Sequence, residues 1–115
     1  MTELDEMRRK QYLKKLVSNS RAILTKQISF PLGSLKMEKI ILWINYIEPI
    51  TELDLKVFAA YNSQTSDYPI GEDRLHYDSE FLAKLDVDLN KLNSDFRENI
   101  ELKCLDIIEI FNEKK

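Results

Sequence analysis

The sequence predicts an all-α protein, a single domain built as a bundle of four to five helices. The chain has only 2 glycines and 3 prolines in 115 residues, and so few turn formers disfavour a β-rich fold. Leu, Lys and Glu, which are good helix formers, are abundant. Apolar residues recur at helical spacing along most of the chain. A chain of this length forms one domain, which we assign to residues 1–115.

The first predicted helix covers residues 4–26. Leu13, Leu16, Val17 and Ile23 fall on one helical stripe, and most of the basic residues lie around the other side. The sequence Ser-Phe-Pro-Leu-Gly follows at residues 29–33. Because proline and glycine interrupt regular structure, we expect this segment to separate the first helix from the second.

The second predicted helix covers residues 34–47. Its apolar residues extend around most of its circumference, a pattern typical of a helix at the centre of a bundle. Pro49 is expected to end it. Thr51 is the predicted N-cap of a third helix, with Asp54 in the position of a capping-box acid. This third helix is predicted to run to about Tyr61.

An ordered loop is predicted at about residues 63–77, followed by a fourth helix capped by Asp78 or Ser79. Apolar residues then continue at helical spacing almost to the end of the chain. We expect a kink or short break at residues 86–88; the alternative is one long helix over residues 79–112.

Charge is distributed unevenly along the chain. Residues 1–40 carry nine bases and four acids, a net charge of +5, and residues 41–115 carry eight bases and sixteen acids, a net charge of −8. The sum is the −3 of the whole chain. Such asymmetry predicts two electrostatic faces, one of which meets a charged partner. We do not expect nucleic-acid binding, because the domain is acidic and no aromatic residues interleave with its bases.

No catalytic constellation, metal site or cofactor motif is predicted, so we expect a protein that is not an enzyme. His76 is the only histidine and Cys104 the only cysteine, which is too few ligands for a zinc site. A single cysteine fits a reducing compartment, and we expect a cytoplasmic protein. The charged residues 1–15 do not read as a secretory signal. The apolar cluster at residues 40–47 is too short to cross a bilayer, so no membrane association is expected.

Residues 67–88 form the most acidic part of the chain, with seven acids and two bases. One interpretation is a solvated acidic face with helix caps. The other is a docking surface for a basic partner, because opposite charge speeds association and selects partners. On the second interpretation, aromatic residues would be the central anchors. The candidate partner-binding residues are Asp67, Tyr68, Glu72, Asp73, Tyr77, Asp78, Glu80 and Phe81.

The loop also carries a family resemblance. The residues concerned are Ser63, Thr65, Asp67, Pro69, Ile70, Gly71, Arg74 and the aromatic Tyr77. This pattern resembles a small all-helical bacterial family of unknown function whose members read S-x-T-D-x-x-P-x-G-x-x-R. The similarity extends over about residues 20–110, with one departure: Ser66 splits the Thr–Asp pair. The resemblance implies a helical fold and an ordered loop, and it supplies no catalytic residues.

Members of that family look similar to immunity proteins of contact-dependent growth inhibition systems. This similarity implies a cytoplasmic, non-catalytic protein that neutralises a cognate toxin, a basic nuclease, by covering its active site. The alternative is a stand-alone regulatory or structural helical protein that acts as a homodimer.

Overall fold

The computed structural model describes residues 2–69 and 71–112, and this part of the chain contains helices and no strand. The all-α prediction is confirmed. Ile70, which belongs to the loop motif, lies outside the described residues. A 3₁₀-helix, Gly71–His76, occupies most of the second half of the predicted loop. The α-helices are α1 (Glu3–Leu24), α2 (Phe30–Ile47), α3 (Lys56–Thr65) and α4 (Ser79–Phe111).

The four α-helices form a bundle in which each helix packs on two others. Helix α1 packs against α2 and α4, and α3 also packs against α2 and α4. Apolar residues at helical spacing therefore converge on one core, as the sequence predicts. The fully buried apolar side chains of that core are Leu16, Met37, Ile44, Phe58, Tyr61, Ile100, Cys104 and Ile107.

Helix α4 runs without interruption for 33 residues, so the predicted break at residues 86–88 is wrong. At about 1.5 Å per residue it is roughly 50 Å long, which matches the 52 Å long axis of the molecule. Its first buried residue is Leu89. The other α-helices cover the part of α4 that follows this residue, and the part before it extends beyond the bundle.

Helix α2 begins at Phe30, four residues before its predicted start at residue 34, and the break between α1 and α2 lies at residues 25–29. The hydroxyl of Ser29 accepts a hydrogen bond from the backbone N–H of Leu32 and caps the helix. Pro31 lies in the first turn, where a missing N–H does no harm because that group has no partner within the helix. The same proline thus starts the helix that it was expected to precede.

Gly33 lies where α1 and α2 approach each other closely. A Cβ atom at this position would lie 2.5 Å from Cγ1 of Ile23, which is far closer than van der Waals contact. The side chain of Asn19 also donates a hydrogen bond of 2.9 Å to the Gly33 carbonyl. Helix α1 ends at Leu24, two residues before the predicted end, and Lys26 in the following turn has a left-handed φ of 62°.

Helix α3 begins at Lys56, so Thr51 is not its N-cap. The Asp54 carboxylate instead accepts a hydrogen bond of 3.0 Å from the Lys56 N–H. The helix continues to Thr65, beyond the predicted end at Tyr61. Tyr61 is fully buried and ties α3 to α4, since its hydroxyl donates to Asn93 and its ring meets Phe96 edge-on.

Helix α2 does not lie at the centre of the bundle, contrary to the prediction from its apolar circumference. Only α1 and α3 pack extensively on it, and the remaining face is open. The large apolar side chains exposed on that face include Leu35, Leu42, Trp43 and Tyr46. None of the described helices is both long enough and apolar enough to span a bilayer.

Candidate functional site

The 3₁₀-helix and the first turns of α4 form what we call the projecting end, residues 71–88. The Asp78 carboxylate accepts a hydrogen bond of 2.8 Å from the Glu80 N–H, which confirms Asp78 as the N-cap of α4. A carboxylate at a helix N-terminus is stabilised by the helix dipole. The chain reversal before α4 is therefore fixed by one of the predicted partner-binding residues.

Arg74 and Asp86 clamp the 3₁₀-helix onto α4. Two nearly parallel hydrogen bonds of 2.8 Å join the guanidinium nitrogens of Arg74 to the two carboxylate oxygens of Asp86. These bonds lower the pKa of Asp86 and raise the pKa of Arg74. The clamp therefore joins the 3₁₀-helix to a residue of α4 twelve positions along the chain.

Two aromatic rings lie side by side on the projecting end. Tyr77 and Phe81 stack with ring centroids 5.5 Å apart and an interplanar angle of 22°. Their side chains are 47% and 44% exposed, and nearby Leu75 is 84% exposed. Exposed large apolar groups of this kind, grouped together, are typical of interaction surfaces.

The predicted acids lie at the surface, and the structure divides the candidate residues into groups. Glu72, Asp78 and Glu80 are exposed on the projecting end that carries the stacked rings. Tyr68 and Asp73 line a cavity that faces α2 and α3. Asp67 is exposed in the turn after α3 and does not line that cavity. The candidate residues therefore do not form one single contact cluster.

A surface groove between α2 and α3, which we call the α2–α3 groove, has an apolar part and an acidic end. The apolar part is a cavity of about 610 Å³ that includes Leu42, Leu55 and Phe58 in its walls. The acidic end is a cavity of about 490 Å³. The two share three wall residues, and the described wall of the acidic end consists of Leu35, Glu38, Ala59, Asn62, Ser63, Thr65, Ser66, Tyr68 and Asp73.

Asn62 holds one wall of the acidic end in place. Its side-chain nitrogen donates hydrogen bonds of 3.0 Å to the Ser34 carbonyl and to the Glu38 carboxylate. The side-chain oxygen of Asn62 is buried and has no hydrogen-bond partner within the described protein. Sequence reasoning missed this groove, because its walls come from three segments. Helix α2 carries more apolar residues than its core-facing side can bury. This excess was the signal in the sequence that could have revealed the groove.

A third cavity, of about 400 Å³, lies between α1 and α2 and is basic. Lys15, Lys36 and Lys39 line it together with Trp43. The Trp43 ring also contacts Tyr12 of α1, with centroids 5.5 Å apart. Three of the bases of residues 1–40 thus line one cavity. This cavity lies on the α1 side of α2, whereas the acidic end of the groove lies on its α3 side.

His76 and Cys104 lie in opposite environments. His76 is exposed. Cys104 is fully buried against Ser20, and burial raises the pKa of its thiol to about 11, so the unreactive protonated form prevails at neutral pH. Among the described residues, no three His, Cys, Asp or Glu side chains converge to hold a metal ion.

Comparison with known proteins gives no relative from which a function could be transferred. The chain matches no protein-family model, and no curated protein or solved structure is similar enough to count as a match.

Proposed function

We propose that the protein is a non-catalytic binding module, an immunity protein that neutralises a cognate toxin by covering a basic surface of it. The observation that carries this proposal is the projecting end, where the exposed Tyr77–Phe81 pair lies among exposed acids. Apolar anchors surrounded by charge are the usual composition of a protein-binding surface. The candidate residues Asp67, Tyr68 and Asp73 would extend this surface toward the α2–α3 groove.

Two further features support this reading. The clamp between Arg74 and Asp86 joins the 3₁₀-helix to α4, and a surface that is pre-organised in this way loses less entropy on binding. Residues 67–88 have a net charge of −5, which favours a cationic partner such as a nuclease with a phosphate-binding site. A toxin of that kind acts on nucleic acid inside cells, so the proposed location is the cytoplasm. The resemblance of the loop to the helical family remains a prediction.

Charge reversal on the projecting end tests the proposal. Glu72→Lys combined with Glu80→Lys should weaken binding to the toxin encoded by a neighbouring gene at least tenfold, mostly through slower association. Binding is measured by surface plasmon resonance at several salt concentrations. The matched control is Asp95→Lys with Glu98→Lys, two exposed acids of α4 outside the projecting end, which should leave affinity nearly unchanged. Equal effects of the two pairs would contradict the proposal.

The aromatic pair gives an independent measure of the same surface. Phe81→Ala removes an exposed ring, so it should cost little stability, whereas loss of a central anchor typically weakens binding by about 2 kcal/mol, or roughly thirtyfold. A Phe81→Ala variant that retains full affinity would exclude the stacked rings from the interface.

A second candidate function is a stand-alone regulatory or structural protein that acts as a homodimer. The open apolar face of α2 favours it, since Leu42 and Trp43 are partly exposed and Tyr46 is 86% exposed. Light scattering coupled to size-exclusion chromatography distinguishes the two candidates. A stable dimer that Tyr46→Lys with Leu42→Lys converts to monomer, without any heteromeric partner, would support this second function over the first.

A further inference from the structure

We infer that the cavity between α1 and α2 is a binding site for a planar aromatic ring that carries a phosphate, the chemistry of a free nucleoside monophosphate. We call it the lysine-lined cavity, and its volume is about 400 Å³. Sites for small molecules usually measure about 300–1,000 Å³. None of its described lining residues belongs to the projecting end. The inference therefore goes beyond the proposed function and does not rest on it.

The inner part of the lysine-lined cavity is fixed by the packing of α1 on α2. Asn19 and Ile40 both line it and are only 6% and 5% exposed. The Asn19 side-chain nitrogen donates a hydrogen bond of 2.9 Å to the Gly33 carbonyl, at the point where the two helices approach too closely to admit a Cβ atom. The cavity is therefore formed before a ligand arrives, which lowers the entropy cost of binding.

Three lysines give the cavity its charge. Lys15 of α1 lines it together with Lys36 and Lys39 of α2, and none of its described lining residues is acidic. Lys36 and Lys39 are three positions apart, so they are neighbours on the helix surface and repel each other. This repulsion opposes folding, and a bound anion offsets it. A phosphate monoester carries about two negative charges near neutral pH, whereas a carboxylate carries one, so phosphate is the better match.

The indole of Trp43 gives the cavity a planar apolar wall. Trp43 lines the cavity and is 41% exposed. Its ring contacts the ring of Tyr12 at a centroid distance of 5.5 Å, which restricts the indole while leaving part of it open to a ligand. Nucleobases stack on such aromatic side chains whatever their sequence, because every base has a π-face. Ala22 and Ile40 add apolar contact for the same ring.

The remaining lining residues suit the sugar that joins the ring to the phosphate. Ser18 and Asn19 supply a hydroxyl and a carboxamide to the cavity, and both groups donate and accept hydrogen bonds as sugar hydroxyls require. A long polyanion is a poorer match, because residues 41–115 carry a net charge of −8 and repel a chain of phosphates that extends beyond the cavity. The fitting ligand is thus a free nucleotide and not a nucleic acid.

The test uses the full chain and titrates adenosine monophosphate into ¹⁵N-labelled protein. Three matched probes separate the parts of the ligand: adenosine lacks the phosphate, ribose phosphate lacks the ring, and inorganic phosphate lacks both ring and sugar. With adenosine monophosphate we expect a saturable shift of the indole N–H signal of Trp43. The association constant of each other probe should be lower by about fivefold or more, the smallest loss expected when a base no longer stacks.

Lysine variants locate the phosphate. Lys15→Gln, Lys36→Gln and Lys39→Gln should each lower the association constant of adenosine monophosphate about two- to fivefold, as expected when one solvent-accessible ion pair is lost. Lys91→Gln is the matched control, because it removes the same charge from an exposed residue of α4 that does not line the cavity. This control should leave the association constant unchanged. Dispersed amide spectra check that each variant is folded.

Trp43→Leu locates the ring. Leucine keeps an apolar side chain at this position but removes the planar face, so adenosine monophosphate should then bind no more tightly than ribose phosphate. Isothermal titration calorimetry measures both association constants, since the indole signal is lost in this variant. A purely structural role for Trp43 would instead lower both constants in the same proportion and keep the preference for the ring, which would overturn the stacking on Trp43.

Other outcomes would overturn the inference as a whole: no saturable shift of the Trp43 signal, equal binding of adenosine, or equal losses in Lys91→Gln and the three cavity variants. Equal binding of ribose phosphate would overturn the assignment to an aromatic ring. A single-stranded oligonucleotide that binds the same lysines far more tightly than adenosine monophosphate would overturn the assignment to a free nucleotide. Charge reversal at Glu72 and Glu80 is a separate experiment, so this site and the immunity function fail or stand independently.

Discussion

Gly33 illustrates how much of the packing depends on one missing side chain. It allows α1 and α2 to approach until Ile23 lies against the Gly33 backbone, and it exposes a carbonyl that Asn19 uses as an acceptor. Both contacts join the two helices within the same turn. A glycine in the first turn of a helix, which sequence reasoning took for a break, is here a packing requirement.

Replacing Gly33 with alanine should destabilise the fold. Alanine gains about 1 kcal/mol of helix propensity, but its Cβ would lie 2.5 Å from the buried Ile23 side chain, and overpacking costs about 1–3 kcal/mol. We expect a net loss of about 1 kcal/mol in urea unfolding. Combining Gly33→Ala with Ile23→Ala should cost less than the sum of the single changes. Strict additivity would show that the contact does not limit packing.

Two helix ends and one helix interior differ from the sequence prediction for identifiable reasons. Proline at residue 31 is both a signal that precedes a helix break and a favoured first-turn residue, and the sequence alone does not choose between them. Thr51 and Asp54 resemble a capping box, yet Asp54 bonds the Lys56 N–H and the helix starts later. At residues 86–88 we expected a kink or short break. The pairing of Asp86 with Arg74, twelve residues earlier, cannot be read from the local sequence.

The clamp between Arg74 and Asp86 should respond to acid. The folded pKa of Asp86 lies below its ordinary value, so the pair favours the folded state above about pH 3.9 and this contribution is lost as the pH falls through the folded pKa. A ¹³C titration of the Asp86 carboxyl should give a midpoint below that of an unperturbed aspartate. Arg74→Met should raise this midpoint. The control Lys84→Met, which removes a positive charge from the same helix as Asp86, should leave it unchanged.

An Asp86 midpoint that Arg74→Met leaves unchanged would mean that the ion pair does not persist in solution. The 3₁₀-helix would then be held to α4 by other contacts, and its resonances should be unaffected by the same variant.

The bundle as a unit is asymmetric along its long axis. Its dimensions are 52 × 25 × 23 Å, and the length comes from α4. The core residues of α4 start at Leu89, so one end of the molecule is a packed bundle and the other is a helix accompanied by a short 3₁₀ segment. The helical class and the core stripes were predictable from periodicity. The projecting end was not, because exposure of a helical face depends on what packs against it.

Hydrogen exchange should follow this asymmetry. Amides of residues 83–88 are intrahelical but lie beyond the packed core, whereas those of residues 98–107 belong to its centre. Local opening is easier where few apolar contacts are lost, so we expect exchange at least tenfold faster in the first range. Mass spectrometry of peptides from α4 provides the measurement, and a bound partner on the projecting end should slow the first range selectively. Uniform protection along α4 would contradict this description.

The contact of Tyr12 with Trp43, the one tryptophan of the chain, provides a built-in optical reporter. Because the Tyr12 ring of α1 lies against the indole of α2, tryptophan emission should change when the two helices separate. The indole is also part of the lysine-lined cavity, and an anion seated there would change its fluorescence without any label. Folding and occupancy of that cavity can therefore be followed in the unmodified chain.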